Sequence, residues 1–339
     1  MTEVPPLAHM PGARHDDYDA GRRRQFAVAL MLAAAVGTLP FVVTDVYAQN
    51  VFILTLTYVA LSQSWNILGG YCGQVSLGHA IYFGIGAYST VLIYMKFGVT
   101  PWVGMAAGGI LAAVIALILG YPCFRIAGHY YTIATIVIAE AALLLVLNWE
   151  WAGAALGLQI PYAPDSWRTF QFGRNKLPYF YFALGLALLT WILCWVIQGS
   201  RWGFWWRAVK DDALAAQSLG VSAFRSKMSA SAISACLTAV IGGFYALYVS
   251  YIDPGSVMSF ELSMLISLPA VLGGIGTLWG PALGAAILIP LSEITRSYIS
   301  GSGRGIPLIV YGTLIVLVAL ARPQGLVSLW PTRQRQMRS

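Results

Sequence analysis

Long apolar runs alternate with short polar breaks along most of this chain, and the lengths of the runs decide the fold class. Several reach the roughly 18 to 20 residues that a helix needs to cross a bilayer. The pattern predicts spans over residues 26–43, 51–68, 81–95, 102–120, 130–148, 179–198, 229–251, 263–276, 281–295 and 306–321. The expected fold is therefore all-α, a polytopic membrane helical bundle of about ten spans set in a lipid bilayer. The shorter runs fit spans that tilt, or that break where their backbone is buried in protein. A polar tail over residues 1–25 and a basic tail over 322–339 flank the membrane domain at 26–321. If the spans form two sets of five, the second set must be inverted, because five is odd, and inverted repeats are a common transporter plan.

Composition excludes the soluble alternative. The 339 residues are 58% hydrophobic and only 10% charged, against about 25% charged in an ordinary soluble domain. The net charge of +7 is no sign of nucleic-acid binding, because the basic residues sit in loops and tails. Their placement sets orientation. With the N-terminus in the cytoplasm, fourteen of the 20 Lys and Arg residues fall on inside segments, while Lys96, Arg168, Arg174, Lys176, Arg296 and Arg304 fall outside. Both termini and the charged segment 199–227 are then cytoplasmic, and loop 149–178 is external. Arg22, Arg23 and Arg24 precede the first run, which lacks a convincing cleavage site, so a retained first span is expected. Cys72, Cys123, Cys194 and Cys236 have neither zinc-ligand spacing nor a paired framework and read as small packing residues.

The charged island RWGFWWRAVKDDALAAQSLGVSAFRSK, residues 201–227, stands apart from the apolar runs. Wound at 100° per residue, positions 207–219 place Ala215, Ala208, Leu219, Ala216, Val209 and Ala213 on one face, broken only by Asp212. Gln217, Lys210, Arg207, Ser218 and Asp211 share the other face, where Leu214 intrudes, and Gly220 stands where a helix C′ residue would. An interfacial helix lying on lipid is one reading, but alanine offers little area to insert. A docking helix for a soluble partner is the sharper one, because small residues admit another surface closely.

Two glycine-rich stretches carry the remaining pattern. GGYCGQVSLGHAIYFGIGAY, residues 69–88, places Gly69, Gly70, Gly73, Gly78, Gly84 and Gly86 beside Gln74, Ser76 and His79 at membrane depth. In a bundle, glycine permits close helix contact or an unwound backbone lining a cavity. A broken helix beside a translocation path is expected, with Gly73, Gln74, Ser76 and Gly78 as its candidate groups. His79 alone reads better as a buried histidine with its hydrogen bonds met than as a metal ligand, since Cys, His and carboxylate partners are missing nearby. LGGIGTLWGPALGAA, residues 272–286, has the same small-residue character. Its Gly274-Ile275-Gly276 lacks the third glycine of a dinucleotide fingerprint and the surrounding βαβ unit. The sequence also lacks a phosphate-binding G-x-x-x-x-G-K-[ST], so no cofactor is expected in this chain, and any driving ATP must be bound by another.

Glu140 and Glu293 lie inside predicted spans, where a carboxylate is costly and points to function by default. Glu293, close to Arg296, reads as an outer-edge residue, whereas Glu140 lies deeper and is a candidate for a polar path or for locking the bundle. Neither a Ser/His/Asp set nor paired carboxylates with a plausible active-site setting is present, so covalent chemistry and an enzyme are not expected. In the external loop, Trp149 and Trp151 read as headgroup-level markers. Its length, with Trp167 beside Pro161, Pro164 and Pro178, leaves room for a lid or a docking surface.

Taken in order, these stretches resemble the branched-chain amino-acid ABC transporter permeases of the LivM type. The resemblance rests on GGYCGQVSLGHAIYFGIGAY, on RAVKDDALAAQSLG followed by a small-residue span with Gly242, Gly243 and Ala246, on LGGIGTLWGPALGA, and on the closing ARPQGL, and it covers roughly residues 50–330. It implies one permease subunit of an importer in a bacterial inner membrane. The implied partners are a second homologous permease, two cytoplasmic ABC ATPase subunits that bind the ATP, and a periplasmic solute-binding protein. The cytoplasmic segment resembles the coupling motif E-A-A-x-x-x-G: Ala215, Ala216 and Gly220 match its small positions, and Leu214 replaces the acidic one. Arg207, Ala208 and Asp211 complete the coupling set that the resemblance implies.

There are departures too. Asp212, Ala213 and Leu214 stand where the family usually has Asn-Glu-Arg, and Ala141 and Ala142 follow Glu140 in place of Ile and a basic residue. Of the loop motif, only Gly157, Leu158, Ile160 and Pro161 match. The implied solute is a branched-chain or other hydrophobic amino acid, with urea, amides or aromatic acids as the alternative in the same family. The rival from a different class is an ion-coupled secondary transporter using Glu140.

Overall fold

The structure is a computed structural model, and it describes residues 15–43, 45–126, 128–173, 175–298, 312–313 and 325–329. The chain divides into two units at Thr44. In the first, α1 (His15–Val42) is one continuous helix. It begins well before the predicted span, so Arg22, Arg23 and Arg24 of the polar tail are helical.

The second unit carries α2 (Val46–Asn66), α3 (His79–Phe97), α4 (Pro101–Cys123), α5 (Tyr130–Leu147) and α6 (Leu177–Gln198). After these come α7 (Arg201–Asp211), α8 (Ala213–Ser218), α9 (Ala223–Val249), α10 (Pro254–Val257), α11 (Phe260–Gly273) and α12 (Gly280–Tyr298). Among the described residues, eight helices are long and apolar enough to cross a membrane, with α10 and α11 counted as one stretch, and Gly280–Thr295 is a shorter apolar helix. The fold is therefore an all-α polytopic membrane bundle. The tenth predicted span, 306–321, lies outside the described residues apart from Gly312 and Thr313.

Local signals start these helices where they start. The Asp45 side chain accepts from the Ala48 amide at 3.0 Å, Ser222 from Arg225 at 3.4 Å and Ser259 from Leu262 at 3.3 Å, each meeting a donor that a helix N-terminus leaves orphaned. Small residues then bring the helices together. In the packed trio α3, α4 and α9, Gly86 lies against the Ala239 carbonyl and Gly242 against the Phe83 carbonyl, so α3 and α9 touch backbone to backbone. Gly284 of α12 meets the Pro269 carbonyl of α11 in the same way. The α2 helix is the centre of the unit, packed on α6, α9, α11 and α12. Its final residues Ser62, Gln63, Ser64, Trp65 and Asn66 are wholly buried.

Two polar connections leave opposite ends of α6. Residues 149–176 form short 3-10 turns and β1 (Leu158–Gln159), which pairs antiparallel with β2 (Tyr251–Ile252). An aromatic knot follows: Phe170 is buried within 5.0 to 6.4 Å, centroid to centroid, of Trp102, Trp167, Phe172, Tyr179, Phe182 and Phe244. Trp167 packs at the exposed edge of this knot, and Trp149 and Trp151 are exposed outside it. At the other end of α6 lies α7, packed on α9 and on residues 67–71 just beyond α2, with α8 against α7 and α9.

Candidate functional site

The first glycine-rich stretch breaks a helix. The α2 helix passes into a π turn (Ile67–Tyr71), the chain runs irregularly over residues 72–78 with Gly73 at φ +72°, and α3 begins at the buried His79. Each step needs a missing Cβ. One at Gly69 would lie 2.6 Å from the Trp65 ring, and one at Gly78 would lie 2.7 Å from the Thr135 carbonyl oxygen. Backbone groups freed by the break find partners, as a low-dielectric interior demands. Trp65 Nε1 donates to the Ser76 carbonyl at 2.7 Å, and Thr132 Oγ1 donates to the Val75 carbonyl at 2.8 Å. The amides of Leu77 and Ala80 donate to Thr135 Oγ1 at 3.2 Å and to Ser263 Oγ at 3.0 Å. The broken helix expected from the sequence is thus present.

The second glycine-rich stretch ends α11 and crosses to α12, and α2 holds it. Asn66 accepts from the Gly276 amide at 2.8 Å and donates to the Thr277 carbonyl at 2.9 Å. Gln63, one turn earlier, donates to the Leu278 carbonyl at 2.7 Å. A Cβ at Gly276 would lie 2.8 Å from the Gly70 carbonyl oxygen, so the two stretches form one junction.

The charged segment meets this junction, but not as the single helix predicted over 207–219. Asp212 is extended, with φ −155° and ψ 112°, and separates α7 from α8. Its carboxylate accepts from the Leu214 amide at 2.8 Å and the Ala215 amide at 3.0 Å, which caps α8. The residue that interrupted the apolar face on a helical wheel interrupts the helix itself. The alanine face is consequently not open to another protein as a whole. Val209, Ala216 and Ala223 are buried together, with Ala208, Ala213 and Val221 packed on them. What α8 exposes instead is Leu214 at 77%, the adjoining Leu219 at 85%, and Ala215.

The rest of the expected coupling set is divided in the same way. Arg207 is half-buried and donates to the Gln198 carbonyl at 2.8 Å, tying α7 to the end of α6. Ala208 and Ala216 lie in the inner cluster, while Asp211 and Gly220 are exposed. Gly220 has φ +85°, the left-handed geometry that closes the turn after α8. Two anchors were not singled out from the sequence. Trp206 is wholly buried and donates to Ser229 Oγ of α9 at 3.2 Å. Lys210 donates to the Gly70 carbonyl at 2.8 Å.

The candidate path residues also separate. Ser76 and Gly78 line a cleft with Tyr82, Tyr131, Thr135 and Ser231. Gly73 faces α7 instead, where its Cβ would lie 2.8 Å from Lys210 Cγ. Gln74 is half-buried in the irregular stretch, and Glu140 is half-buried on α5, apart from the cleft lining. His79 is buried with Nε2 2.9 Å from Ser234 Oγ, and Ser234 donates its one hydroxyl proton to the Ser64 carbonyl at 2.7 Å. The Nε2 nitrogen must then carry the proton between them. His79 joins α3 to α9 and α2 as a packing residue, but its Nδ1 is buried without a hydrogen-bond partner among the described residues, so the expectation that its hydrogen bonds are met holds only at Nε2.

A buried core helix that unwinds at glycines, a second glycine turn clamped to it, and a polar segment anchored on both define a class: a multi-pass helical membrane permease. The chain belongs to the family described as branched-chain amino acid transport system / permease component, whose model matches residues 47–319. It is 29% identical to the high-affinity branched-chain amino acid transport system permease protein LivM of Escherichia coli K12, over 90% of this chain and 75% of that protein. It is 25% identical to the permease protein LivH of Salmonella typhimurium, over 82% of this chain and 93% of that one. The probable LivM of Methanocaldococcus jannaschii is 24% identical over 80% of this chain and 90% of its own length. No solved structure matches this chain.

Proposed function

We propose that this chain is the membrane permease subunit of an ATP-driven importer of branched-chain amino acids, worked from the cytoplasm through the segment α7–α8. The observation that carries this reading is the join between α7 and the two glycine-rich breaks through Lys210, Gly70 and Asn66. A movement delivered to α8 reaches the bundle there without passing through a flexible linker.

The likeness to both LivM and LivH supports a second, homologous permease beside this one. Two cytoplasmic ATPase subunits bind the ATP, and a periplasmic solute-binding protein delivers the solute. Both termini lie in the cytoplasm of a bacterial inner membrane, in keeping with the bias of Lys and Arg toward that side. Exposed Leu214, Ala215 and Leu219, with Asp211 and Gly220 at the margins, form the surface offered to an ATPase, and Arg207, Ala208 and Ala216 hold it in place. Gly73, Gln74, Ser76, Gly78 and Glu140 mark the solute side of the mechanism, with Ser76 and Gly78 at the cleft. That cleft is lined by hydroxyls and apolar groups rather than by charges, so it grips a zwitterion weakly and releases it readily. Selectivity then resides in the binding protein.

Reconstitution tests this reading. The two permeases in liposomes, with the binding protein outside and labelled leucine as probe, should show uptake only when the ATPase subunits and ATP are present inside. Uptake driven by a proton or sodium gradient without the ATPase would replace this function with an ion-coupled one.

A further inference from the structure

We infer that Lys210 is the positioning residue that transmits movement of α7–α8 to the glycine-rich junction, an inference that rests on the proposed function above. Its ammonium donates to the Gly70 carbonyl at 2.8 Å, inside the π turn where α2 unwinds. Its aliphatic stem fills the space that Gly73 leaves: a Cβ there would lie 2.8 Å from Lys210 Cγ and 3.2 Å from Lys210 Cβ. The second break is within reach as well, since a Cβ at Gly276 would lie 3.0 Å from Lys210 Nζ. One side chain thus touches the first break at two points and stands against the other, which Asn66 clamps to α2. Lys210 occupies the last turn of α7, next to Asp211 and the extended Asp212 that caps α8.

The contact is suited to transmission. A charge-assisted hydrogen bond is roughly twice as strong as a neutral one, so the Gly70 carbonyl tends to follow its donor. The π turn directly follows α2 and is a local departure from the ordinary helical ladder, a feature found frequently at functional sites. Shifting α7 therefore changes the pull on Gly70 while the rest of α2 stays packed. Lys210 is exposed, but its amine is turned inward onto Gly70, away from Leu214, Ala215 and Leu219. Removing its amine should leave the ATPase bound and hydrolysing, yet disconnect hydrolysis from transport.

The test uses the assembled transporter, both permeases with the ATPase and binding protein, in liposomes with labelled leucine. Lys210→Met should co-purify with the ATPase and hydrolyse ATP, while leucine moved per ATP falls about tenfold, within the range of coupling between separated sites. Lys210→Cys provides a control within one folded preparation. Alkylation with bromoethylamine rebuilds an amine of nearly the lysine length and should restore leucine moved per ATP. Methylthiolation, which adds no amine, should not. Wild-type transporter treated identically accounts for the four native cysteines. Lys210→Met with wild-type leucine moved per ATP, loss of the ATPase from that variant, or equal rescue by both reagents would each overturn the inference. Absence of ATP-dependent leucine uptake by the wild-type complex would instead overturn the proposed function beneath it.

Discussion

The α7 and α8 helices are separated by one residue and differ in how they are held to the bundle. In α7, Gly203, Trp206 and Val209 are buried, and three side chains tie it down: Arg207 to the end of α6, Trp206 to α9 and Lys210 to the π turn. In α8 only Ala216 is buried, while the two leucines beside it stand out from the chain. A coupling device needs both kinds of surface. The anchored half carries displacement because it cannot slip against the bundle. The offered half can be gripped because its leucines are not already packed. Asp212 is the joint: its carboxylate caps α8, and Val209 of α7 and Ala216 of α8 are buried in one cluster across it.

Substitutions can break or sharpen that contrast. Trp206→Ala should have the largest effect on stability. Emptying a wholly buried indole site costs about 3–5 kcal/mol, and thermal unfolding in detergent should show it. A loss no greater than that of an α8 surface variant would erase the distinction. Asn66→Leu comes next. It strands the part-buried Gly276 amide and Thr277 carbonyl, at about 1 kcal/mol for each group, the low end for a donor or acceptor left unpaired. The same unfolding measurement should register it, along with faster hydrogen exchange over residues 274–279.

Asp212→Ala removes the cap of α8 and should cost about 1 kcal/mol. Its effect should be local, with quicker proteolysis over residues 213–222 and a nearly unchanged melting of the bundle. The smallest stability change should come from Leu214→Ser combined with Leu219→Ser, within about 0.5 kcal/mol for each exposed site. That pair should nonetheless lose the ATPase on co-purification. Retained ATPase would mean that α8 is not the offered surface.

The bundle was largely legible in the sequence, because run length alone identifies spans. The α2–α3 break was legible too, because six glycines with Gln74, Ser76 and His79 fit an ordinary span poorly. The single helix over 207–219 was a misreading with a visible cause. Winding at 100° per residue assumes continuity, and an aspartate on the apolar face just before Ala213 is an N-cap as readily as a flaw in the stripe. The inner use of Ala208 and Ala216 could not be read locally, because their cluster includes Val221 and Ala223 beyond the turn. Lys210 and Asn66 were missed for a similar reason: their partners lie 140 and 210 residues away in sequence. Gln63 and Asn66 did leave a trace, as two amides one turn apart near the end of an apolar span.

The most direct measurement places a cysteine at exposed Ala215 and cross-links the assembled complex with a short bifunctional reagent. Ala215→Cys should join the ATPase subunit, with a yield that changes between ATP-bound and nucleotide-free states. Cross-linking to the periplasmic binding protein, or labelling by an impermeant maleimide added outside intact cells, would contradict the claim that α8 is the surface on which the ATPase acts.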